Sequence, residues 1–388
     1  MFLSSVFMII GIDASRAFLA KRTGIEEYSY QLIKHLRHEL AGERVVLYVR
    51  ATNNRQQTTS SKQSITDGID FELPEKWAVR ELWAPRFWTQ GRLAIEMLFH
   101  SVDVLFVPAH TVPWIHPKRT VVVVHGLEYE FCPETYSLWE RIYMRWSIRN
   151  SCRWASSIIA VSENTKRDLM SRYSMPEEKM RVVYEGVSYL QFPTDNEQSD
   201  SRPSVSRFPI SNPYFLFIGR IEARKNVRRI IAAFDRFKKK HGTNHQLVLA
   251  GKPGFGYEVI SDQLKTLPCR EDVVEAGYVS EEEKWRLLRN ANGFLFPTLY
   301  EGFGLPVLEA QSAGVPVVTS NVSSLPEVSG SDSAILVDPL NVEEIAQGIE
   351  KIALDQGFRS GIIERGFQNA ARFSWEACAR EIAELLKL

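Results

Sequence analysis

A glycine-rich turn in the second half of the chain carries side chains suited to binding a polar ligand. Gly302 and Gly304 follow an apolar run, and Pro306 stands where a first helical turn tolerates a residue without an N–H group. Free N–H groups at such a helix start, aided by the helix dipole, bind anions and hydroxyl groups. Glu301 and Glu309 stand on either side of the turn, which suits hydrogen bonding to a polyhydroxylated ligand. The alternative is an ordinary turn with solvated glutamates.

Positive charge is concentrated in a second turn, FIGRIEARKN, at 217–226. Arg220, Arg224 and Lys225 stand close together in this turn, and Gly219 precedes them directly after an apolar run. A guanidinium group and an ammonium group together can hold a diphosphate and neutralise the charge that grows on it as it leaves. The alternative is a solvated basic turn in front of a helix.

Short apolar runs alternate with longer amphipathic stretches along the chain. Continuous apolar runs are typical of parallel strands buried on both faces. The first series is MIIGI (8–12), VVLYV (45–49), VLFV (104–107), VVVV (121–124), SIIAV (157–161) and RVVY (181–184). The second series is YFLFI (214–218), QLVLA (246–250), VVEAG (273–277), GFLFP (293–297), VPVVT (315–319) and AILV (334–337). Two such series predict two doubly wound α/β domains, whose ligands bind at the carboxyl ends of the strands.

A polar stretch at 193–213, rich in proline, serine and acidic residues, separates the two series and has the composition of a linker. We therefore place the domain boundary near Ser201. After Ser374, a capping residue, apolar residues recur at helical spacing and predict a terminal helix that can cross back to the first domain. The predicted parts are an N-terminal α/β domain 1–200, a C-terminal α/β domain 201–373 and a C-terminal helix 374–388.

The charge balance of the 388 residues limits the class of ligand. Lys plus Arg number 47 and Asp plus Glu number 47, so the formal net charge is +0. Proteins that bind long nucleic acids carry a basic excess, and this class is therefore excluded. A local basic site for one small anion, such as a nucleoside diphosphate, is compatible with a balanced total.

The cysteines and the N-terminus indicate the compartment. The four cysteines stand far apart without a C-x-x-C pair, which favours neither a disulfide framework nor a thiolate zinc site and fits the reducing cytosol. The apolar start MFLSSVFMIIGI lacks a basic segment, and a membrane span needs ~20 apolar residues. We interpret it as the first buried strand after a short extension, with either Met1 or Met8 as the start.

The two turns together resemble the retaining nucleotide-sugar glycosyltransferases of the GT-B fold, family four. The resemblance is carried by GR-x(4)-K at 219–225 and by Glu-x(7)-Glu at 301–309 within FPTLYEGFGLPVLEA. Further similar stretches are GIDASR (11–16), TGIEEYSYQLIKHL (23–36), VVVVHGLEYEFCPE (121–134), AVSENTKRDL (160–169) and GYVSEEEKWRLLRNANGFLFPT (277–298). The resemblance implies an α/β architecture of two Rossmann-like, doubly wound parallel-sheet domains that face a cleft. It also implies that domain 1–200 is the acceptor-side domain and that domain 201–373 binds the nucleotide sugar.

The resemblance also implies an activity. Members of this family move a sugar from a nucleotide diphosphate sugar to an acceptor, retain the anomeric configuration and use Arg and Lys in place of a metal. TGIEEY, ARKN and SNVSSLPEV are closest to members that transfer mannose during bacterial surface-polysaccharide assembly, so GDP-mannose is the expected donor. No Asp-x-Asp occurs in the chain, and we expect no metal and no cofactor. The expected acceptor is a glycan or a lipid-linked oligosaccharide, in the cytoplasm or at the inner face of the plasma membrane.

Site residues follow from the resemblance, position by position. Arg220 and Lys225 would grip the donor diphosphate and assist its departure, and Glu309 would bind the ribose hydroxyls. Glu301 would hold the transferred sugar, and His125 would contact it near the reacting carbon. The expected catalytic residues are His125, Arg220, Lys225 and Glu301. The other expected donor contacts are Gly24, Gly219, the phosphate neighbours Thr298 and Leu305, the nucleobase neighbours Lys252 and Val279, and the turn residues Gly302, Phe303 and Gly304.

Two positions depart from the family pattern. Many relatives have Asp after the histidine where this chain has Gly126, so a polar contact is either missing or supplied by Glu128. The turn usually written NGV is EGV here, at 185–187. Taken alone, His125 would be a satisfied core or rim histidine, and the surrounding pattern favours a contact with the donor instead.

Other patterns lie outside the family motifs. The histidines between positions 100 and 125 match no metal-binding spacing. GKPGFG at 251–256 is interpreted as a flexible surface turn because no helix clearly follows it. The basic residues that recur every fourth position form either a solvated helix face or a surface that docks on an anionic membrane; they are Arg141, Arg145, Arg149 and Arg153. A separate aromatic and basic run at 77–92 has aromatic residues that either pack internally or line an acceptor groove; they are Trp77, Trp83, Phe87 and Trp88.

Two other functions remain compatible with the sequence. A sugar-nucleotide epimerase of the same architecture would bind the donor and need no acceptor. An inactive nucleotide-sugar-binding scaffold subunit would also bind it, although the intact Arg220, Lys225, Glu301 and Glu309 argue against loss of catalysis.

Overall fold

The computed structural model describes residues 8–19, 22, 24–51, 69–84, 87–188, 208–211 and 213–388. These residues form two compact units. The first unit comprises Met1–Leu127, Leu138–Gly186 and Ser374–Leu388, and the second comprises Glu128–Ser137 and Val187–Phe373. The predicted extension before Met8 and the predicted boundary near Ser201 lie outside the described residues. The chain leaves the first unit after Gly186 and returns to it at Ser374.

The first unit is built on a parallel sheet of seven strands. The strands are β1 (Ile9–Asp13), β2 (Arg44–Ala51), β3 (Trp77–Trp83), β4 (Val104–Val107), β5 (Arg119–Val124), β6 (Ser157–Ala160) and β7 (Met180–Val182). They are hydrogen-bonded in the order β3-β2-β1-β4-β5-β6-β7. The predicted apolar runs supply every strand except β3, which confirms the parallel α/β class.

The strand β3 lies at the edge of this sheet, and the search for apolar runs misses it. Its burial is interrupted: Trp77 and Leu82 are buried, whereas Trp83 is exposed. The buried Trp77 indole donates to the Leu40 carbonyl at 3.1 Å. An edge strand does not need a continuous apolar run, because it is not covered as completely as a central strand.

The second unit is built on a parallel sheet of six strands. The strands are β8 (Tyr214–Ile218), β9 (Gln246–Ala250), β10 (Val273–Gly277), β11 (Gly293–Phe296), β12 (Val317–Ser320) and β13 (Ile335–Val337). They are hydrogen-bonded in the order β10-β9-β8-β11-β12-β13, and each coincides with a predicted run. The strand order reverses between β8 and β11, so the loops after these two strands border the crevice where such sheets bind ligands.

Helices flank the two sheets. They are α1 (Ile25–Glu39), α2 (Ala94–Phe99), α3 (Glu128–Phe131), α4 (Leu138–Trp154), α5 (Glu163–Tyr173), α6 (Val227–His241), α7 (Tyr257–Lys265), α8 (Glu281–Asn290), α9 (Leu305–Ser312), α10 (Leu325–Ser329), α11 (Val342–Leu354), α12 (Gln356–Ala370) and α13 (Trp375–Lys387). No helix in the described part of the chain is long and apolar enough to cross a bilayer.

The terminal helix α13 belongs to the first unit. Ser374 caps it by accepting a hydrogen bond from the Ala377 N–H at 3.1 Å. Trp375 is buried and packs against Tyr28 of α1, with ring centroids 5.7 Å apart. Gly186 allows this packing, because a Cβ there would lie 2.2 Å from the Trp375 nitrogen. The last residues of the chain therefore complete the core of the first unit.

Candidate active site

The basic turn and the glycine-rich turn meet in the second unit because they follow its two central strands, β8 and β11. Lys225 Nζ donates to Glu301 Oε1 at 2.6 Å, and Arg224 Nη1 donates to the same oxygen at 3.3 Å. Arg224 also donates to the Tyr300 carbonyl at 2.9 Å and to Glu222 Oε1 at 3.1 Å. We call Arg224, Lys225 and Glu301 the cation cluster.

Burial and charge act against each other in the cation cluster. Burial raises the pKa of Glu301, but Lys225 and Arg224 outweigh it and hold the pKa below its ordinary value. Burial lowers the pKa of Lys225, and Glu301 only partly opposes this, so the pKa stays below that of an ordinary lysine. Burial also disfavours charged Arg224, but Glu301 and Glu128 outweigh it and raise its pKa. Glu301 is therefore ionised at neutral pH.

A close approach of two glycines shapes the basic turn. A Cβ on Gly251 would lie 1.7 Å from the Gly219 oxygen, and both residues have a φ of 153°, which favours glycine. The Ile221 N–H donates to the Lys252 carbonyl at 2.9 Å, which ties the turn to 251–256. The expectation that no helix follows 251–256 is wrong, because α7 begins directly after the segment. The segment is a turn at the surface, with Lys252 and Phe255 exposed, and backbone hydrogen bonds join it to the basic turn.

Arg220 is the most exposed of the three basic side chains in the turn. Its side chain is 69% exposed, whereas those of Arg224 and Lys225 are 16% and 12% exposed. Its Nε lies 3.5 Å from Glu222 Oε2. The sequence analysis assigned no separate role to Arg224. The presence of a third positive charge in the turn was the one indication that Arg224 belongs to the site.

The glycine-rich turn is fixed by serines of the following loop. Gly304, with a φ of 118°, precedes the first residue of α9. Ser324 Oγ lies 2.6 Å from the Phe303 carbonyl oxygen and 2.9 Å from the Glu301 carbonyl oxygen, and the two acceptors share its single proton. The Glu301 N–H in turn donates to Ser323 Oγ at 3.1 Å. The helix start and the Glu301 backbone are thus held in one fixed arrangement.

The second glutamate of the motif has a largely enclosed partner. Glu309 lies in α9, and its Oε1 accepts a hydrogen bond from Lys284 Nζ at 2.7 Å. Lys284 lies in the first turn of α8, shortly after Val279, which is an expected nucleobase neighbour. Lys252, the other expected nucleobase neighbour, has its Nζ 4.8 Å from the centre of the Tyr278 ring.

His125 lies at the end of β5 in the first unit, and both of its ring nitrogens are engaged. Nδ1 lies 3.0 Å from Glu185 Oε1, and Nε2 lies 2.8 Å from the Pro108 carbonyl oxygen. The His110 ring packs edge-on at 5.2 Å, and burial holds its pKa well below the ordinary value. Sequence reasoning did not identify Glu185 as a partner of His125, although its replacement of the usual Asn was the visible signal.

The segment after His125 belongs to the second unit. Phe131 stacks on Tyr300, with ring centroids 4.7 Å apart and planes 9° apart. Glu128 accepts a hydrogen bond from the Tyr136 hydroxyl at 3.4 Å and contributes to the raised pKa of Arg224. Glu128 therefore faces the cation cluster.

The predicted site residues divide between the two units. The second unit contains Gly219, Arg220, Lys225, Lys252, Val279, Thr298, Glu301, Gly302, Phe303, Gly304, Leu305 and Glu309, and the first contains Gly24 and His125. Gly24, with a φ of 49°, immediately precedes α1. Thr298 is fully buried and lies close enough to Glu301 to help lower its pKa. In the described ranges no three His, Cys, Asp or Glu side chains form a group that could hold a metal ion.

The outward face of α4 in the first unit is unusually apolar. The exposed apolar side chains of this helix are Leu138, Trp139, Ile142, Tyr143 and Trp146. Arg149 and Arg153 continue the exposed face, whereas Arg141 is partly buried. Among the aromatic residues of β3 and of the segment between β3 and α2, Trp77 and Trp88 pack internally and Trp83 and Phe87 are exposed.

Two family models match the chain. The model described as glycosyl transferases group 1 matches residues 199–369, and the model described as glycosyltransferase family 4 matches residues 22–189. Together the two matched ranges include all of the predicted site residues.

Individual relatives and solved structures agree with this match. O-antigen chain mannosyltransferase B of Escherichia coli is 32% identical over 273 residues, which are 70% of this chain and 71% of that protein. O-antigen chain mannosyltransferase RfbU of Salmonella typhimurium is 22% identical and covers 85% of this chain and 87% of its own length. The crystal structure of Anabaena HepE, solved with UDP and glucose, is similar in fold, with a TM-score of 0.71 and 17% identity over 98% of this chain and 99% of that one.

Proposed function

Because this chain belongs to family four of the glycosyltransferases and has the GT-B fold, we propose that it transfers mannose from GDP-mannose. The acceptor is a glycan or a lipid-linked oligosaccharide in bacterial polysaccharide synthesis. The names of the Escherichia coli and Salmonella relatives, both O-antigen chain mannosyltransferases, support the choice of sugar and pathway. The observation that carries the proposal is the cation cluster beside the start of α9.

The donor diphosphate binds between Arg220, Lys225 and the N-terminus of α9. Free N–H groups and the helix dipole attract phosphate oxygens at such a helix start. Lys225 turns from Glu301 towards the phosphate when the donor arrives. Glu301 still has a cationic partner then, since Arg224 donates to the same oxygen at 3.3 Å. Glu301 is thereby kept ionised and available to accept hydrogen bonds from the transferred sugar.

The reaction is a same-side displacement that retains the anomeric configuration. The acceptor oxygen forms a bond to the anomeric carbon as the bond from that carbon to the phosphate oxygen breaks. The bonding electron pair leaves with the nucleoside diphosphate, and the departing phosphate oxygen takes the acceptor proton. Arg220 and Lys225 stabilise the negative charge that develops on the leaving group, so no metal is required. Detection of a glycosyl adduct on Glu301 or Glu309 would replace this mechanism by a covalent one.

Donor binding and turnover test the proposal directly. A thermal-shift panel of GDP, UDP, ADP and their common sugars identifies the base, because at equal concentration the ligand that binds the folded state most tightly raises its stability most. We expect GDP-mannose to be consumed in EDTA and mannose to appear on an acceptor from a lipid-linked oligosaccharide fraction. Lys225→Ala abolishes this turnover, whereas Lys265→Ala, an exposed lysine on α7, leaves it unchanged.

Other products of the same assay would identify the competing functions. Conversion of the nucleotide sugar without an acceptor would indicate an epimerase. Binding without any turnover would indicate an inactive subunit. Unchanged turnover of Lys225→Ala would overturn the role given to Lys225.

We further propose that the first unit docks on an anionic membrane through α4. Its first turns expose Trp139, Ile142 and Trp146, and the exposed face continues with Arg149 and Arg153. Aromatic side chains enter the headgroup region, and each basic residue near an anionic surface adds about 1 kcal/mol. This surface would bring the enzyme to lipid-linked acceptors at the inner face of the plasma membrane.

Vesicle co-sedimentation tests the docking surface. We expect binding to vesicles that contain anionic lipid and release by high salt. Arg149→Gln combined with Arg153→Gln weakens binding about thirtyfold, which corresponds to about 1 kcal/mol per residue. Val259→Ser, an exposed apolar residue on α7, serves as the control. Failure to bind at any salt concentration would exclude membrane docking.

A further inference from the structure

Lys284 is a largely enclosed lysine that contacts a residue of the donor site. Its Nζ donates to Glu309 Oε1 at 2.7 Å and lies 2.8 Å from Glu281 Oε2. The side chain of Lys284 is 12% exposed, and that of Glu309 is 19% exposed, whereas Glu281 is largely in solvent. Glu309 raises the pKa of Lys284 against the effect of burial. The pair with Glu309 is therefore the inner of the two contacts.

The position of Lys284 is unfavourable for a lysine in other respects. It lies in the first turn of α8, where the helix dipole disfavours a positive charge. The helix does not need it to begin, because Ser280 and Glu283 already form a capping box. A buried ion pair is seldom better for stability than apolar residues of similar volume. Folding stability alone therefore does not account for a lysine at this position.

We propose that Lys284 is a positioning residue that holds the Glu309 carboxylate in place for the ribose hydroxyls of the donor. This inference rests on the proposed function, in which Glu309 binds the ribose. A glutamate side chain has several rotatable bonds, and fixing them costs conformational entropy. If the side chain is ordered before the ligand arrives, this entropy cost does not weaken binding. A carboxylate can accept about four hydrogen bonds, so the contact with Lys284 does not exhaust its capacity.

The preference of the protein for a ribose nucleotide over its deoxyribose analogue tests the positioning role of Lys284 separately from other effects on binding. The measured quantity is the affinity of the preferred nucleoside diphosphate divided by that of its 2′-deoxy or 3′-deoxy analogue, obtained by calorimetry. We expect the wild-type protein to prefer at least one ribose hydroxyl. Lys284→Met, which keeps the length of the side chain and removes its charge, reduces that preference by roughly three- to tenfold.

The affinity ratio does not respond to a general change in charge or to a lost contact with the base. The analogues carry the same base and the same diphosphate, so either change weakens both ligands equally and leaves the ratio unchanged. Lys284→Arg keeps a donor for Glu309 and retains the preference. Glu281→Gln, which breaks only the outer contact, serves as the matched control and retains it too. Thermal melting of each variant checks that it is folded.

A double variant tests whether Lys284 acts through Glu309. In a Glu309→Gln background, Lys284→Met has no further effect on the ratio. An unchanged or larger ratio for Lys284→Met alone, or a further fall in the Glu309→Gln background, would overturn the inference. A wild-type protein that binds a nucleoside diphosphate without preferring ribose would overturn it as well and leave the transferase activity standing. Absence of any nucleotide binding would instead contradict the proposed function.

Discussion

The environment of His125 accounts for the unusual residue at position 185. The Pro108 carbonyl can only accept a hydrogen bond, so Nε2 of His125 carries a proton, and Glu185 holds the opposite nitrogen. The family pattern named above has Asn in this turn, whereas Glu185 places a carboxylate oxygen 3.0 Å from Nδ1 of the ring. The departure from the family pattern thus becomes a specific contact in the first unit.

Glu185→Ala should destabilise the protein by about 1–3 kcal/mol, because it leaves a buried ring nitrogen of His125 without its partner. Urea unfolding monitored by tryptophan fluorescence measures this change. Glu384→Ala is the control, since Glu384 forms an exposed ion pair with Arg181 in the same unit and its loss should cost no more than about 0.5 kcal/mol. Equal stability of the two variants would contradict the role given to Glu185.

Lys225 should give nucleotide binding a characteristic dependence on pH. A diphosphate favours the charged form of Lys225, and burial lowers the pKa of this lysine. Affinity is therefore constant while Lys225 is charged and falls as pH rises through a value below the ordinary lysine pKa of about 10.4. Lys225→Arg does not titrate in this range. The ratio of wild-type to Lys225→Arg affinity, measured by calorimetry across alkaline pH, should fall; a constant ratio would contradict the prediction.

The turns after β8 and β9 are built against each other at Gly219 and Gly251. Gly251→Ala should therefore destabilise the protein by about 3 kcal/mol and weaken nucleotide binding, since the new Cβ collides with backbone. Thermal melting and nucleotide titration measure the two effects. Gly42→Ala, where a Cβ meets nothing within 4 Å, should change stability by no more than about 0.5 kcal/mol. Normal nucleotide binding by Gly251→Ala would show that the turn adjusts without cost to the site.

The elements predicted correctly are determined by their own residues, whereas the elements that were missed depend on contacts with distant parts of the chain. Central strands such as β8 and β9 are continuous apolar runs, and the sequence predicts them to within a residue or two. The edge strand β3 lacks such a run. The segment 251–256 has the composition of a loose turn, and backbone bonds to the turn after β8 and to the end of β10 hold it in place. Local pattern therefore predicts buried strands well and tertiary constraints on turns poorly.

The same distinction applies to the candidate site as a whole. The motif predicts Lys225, Glu301 and Glu309 because the two turns follow neighbouring central strands of one sheet. The partners of these residues are harder to predict. Lys284 and Glu309 lie on separate helices, and their pairing depends on how α8 and α9 pack. The sequence thus indicates which side chains meet the ligand, and the fold determines what holds those side chains in place.

We expect the packing of α13 against α1 to affect the stability of the first unit and not that of the second. Gly186→Ala places a Cβ 2.2 Å from the Trp375 nitrogen, so α13 shifts away from α1. We expect amide hydrogen exchange to accelerate in α1 and α13 and to stay unchanged in β8 and β9 of the second unit. Mass spectrometry of exchanged peptides measures both regions in one experiment. Uniform acceleration in both units would show that they unfold together.

The return of the chain at Ser374 also has a consequence during protein synthesis. Domains generally fold in the order in which a ribosome releases them, at about 5–20 residues per second. Here the second unit receives its last residue, Phe373, before the first unit receives α13. The second unit can therefore be complete while the Tyr28 side of α1 still lacks its Trp375 partner. The first unit contains the residues translated first, yet it cannot complete its core before the residues of α13 have been made.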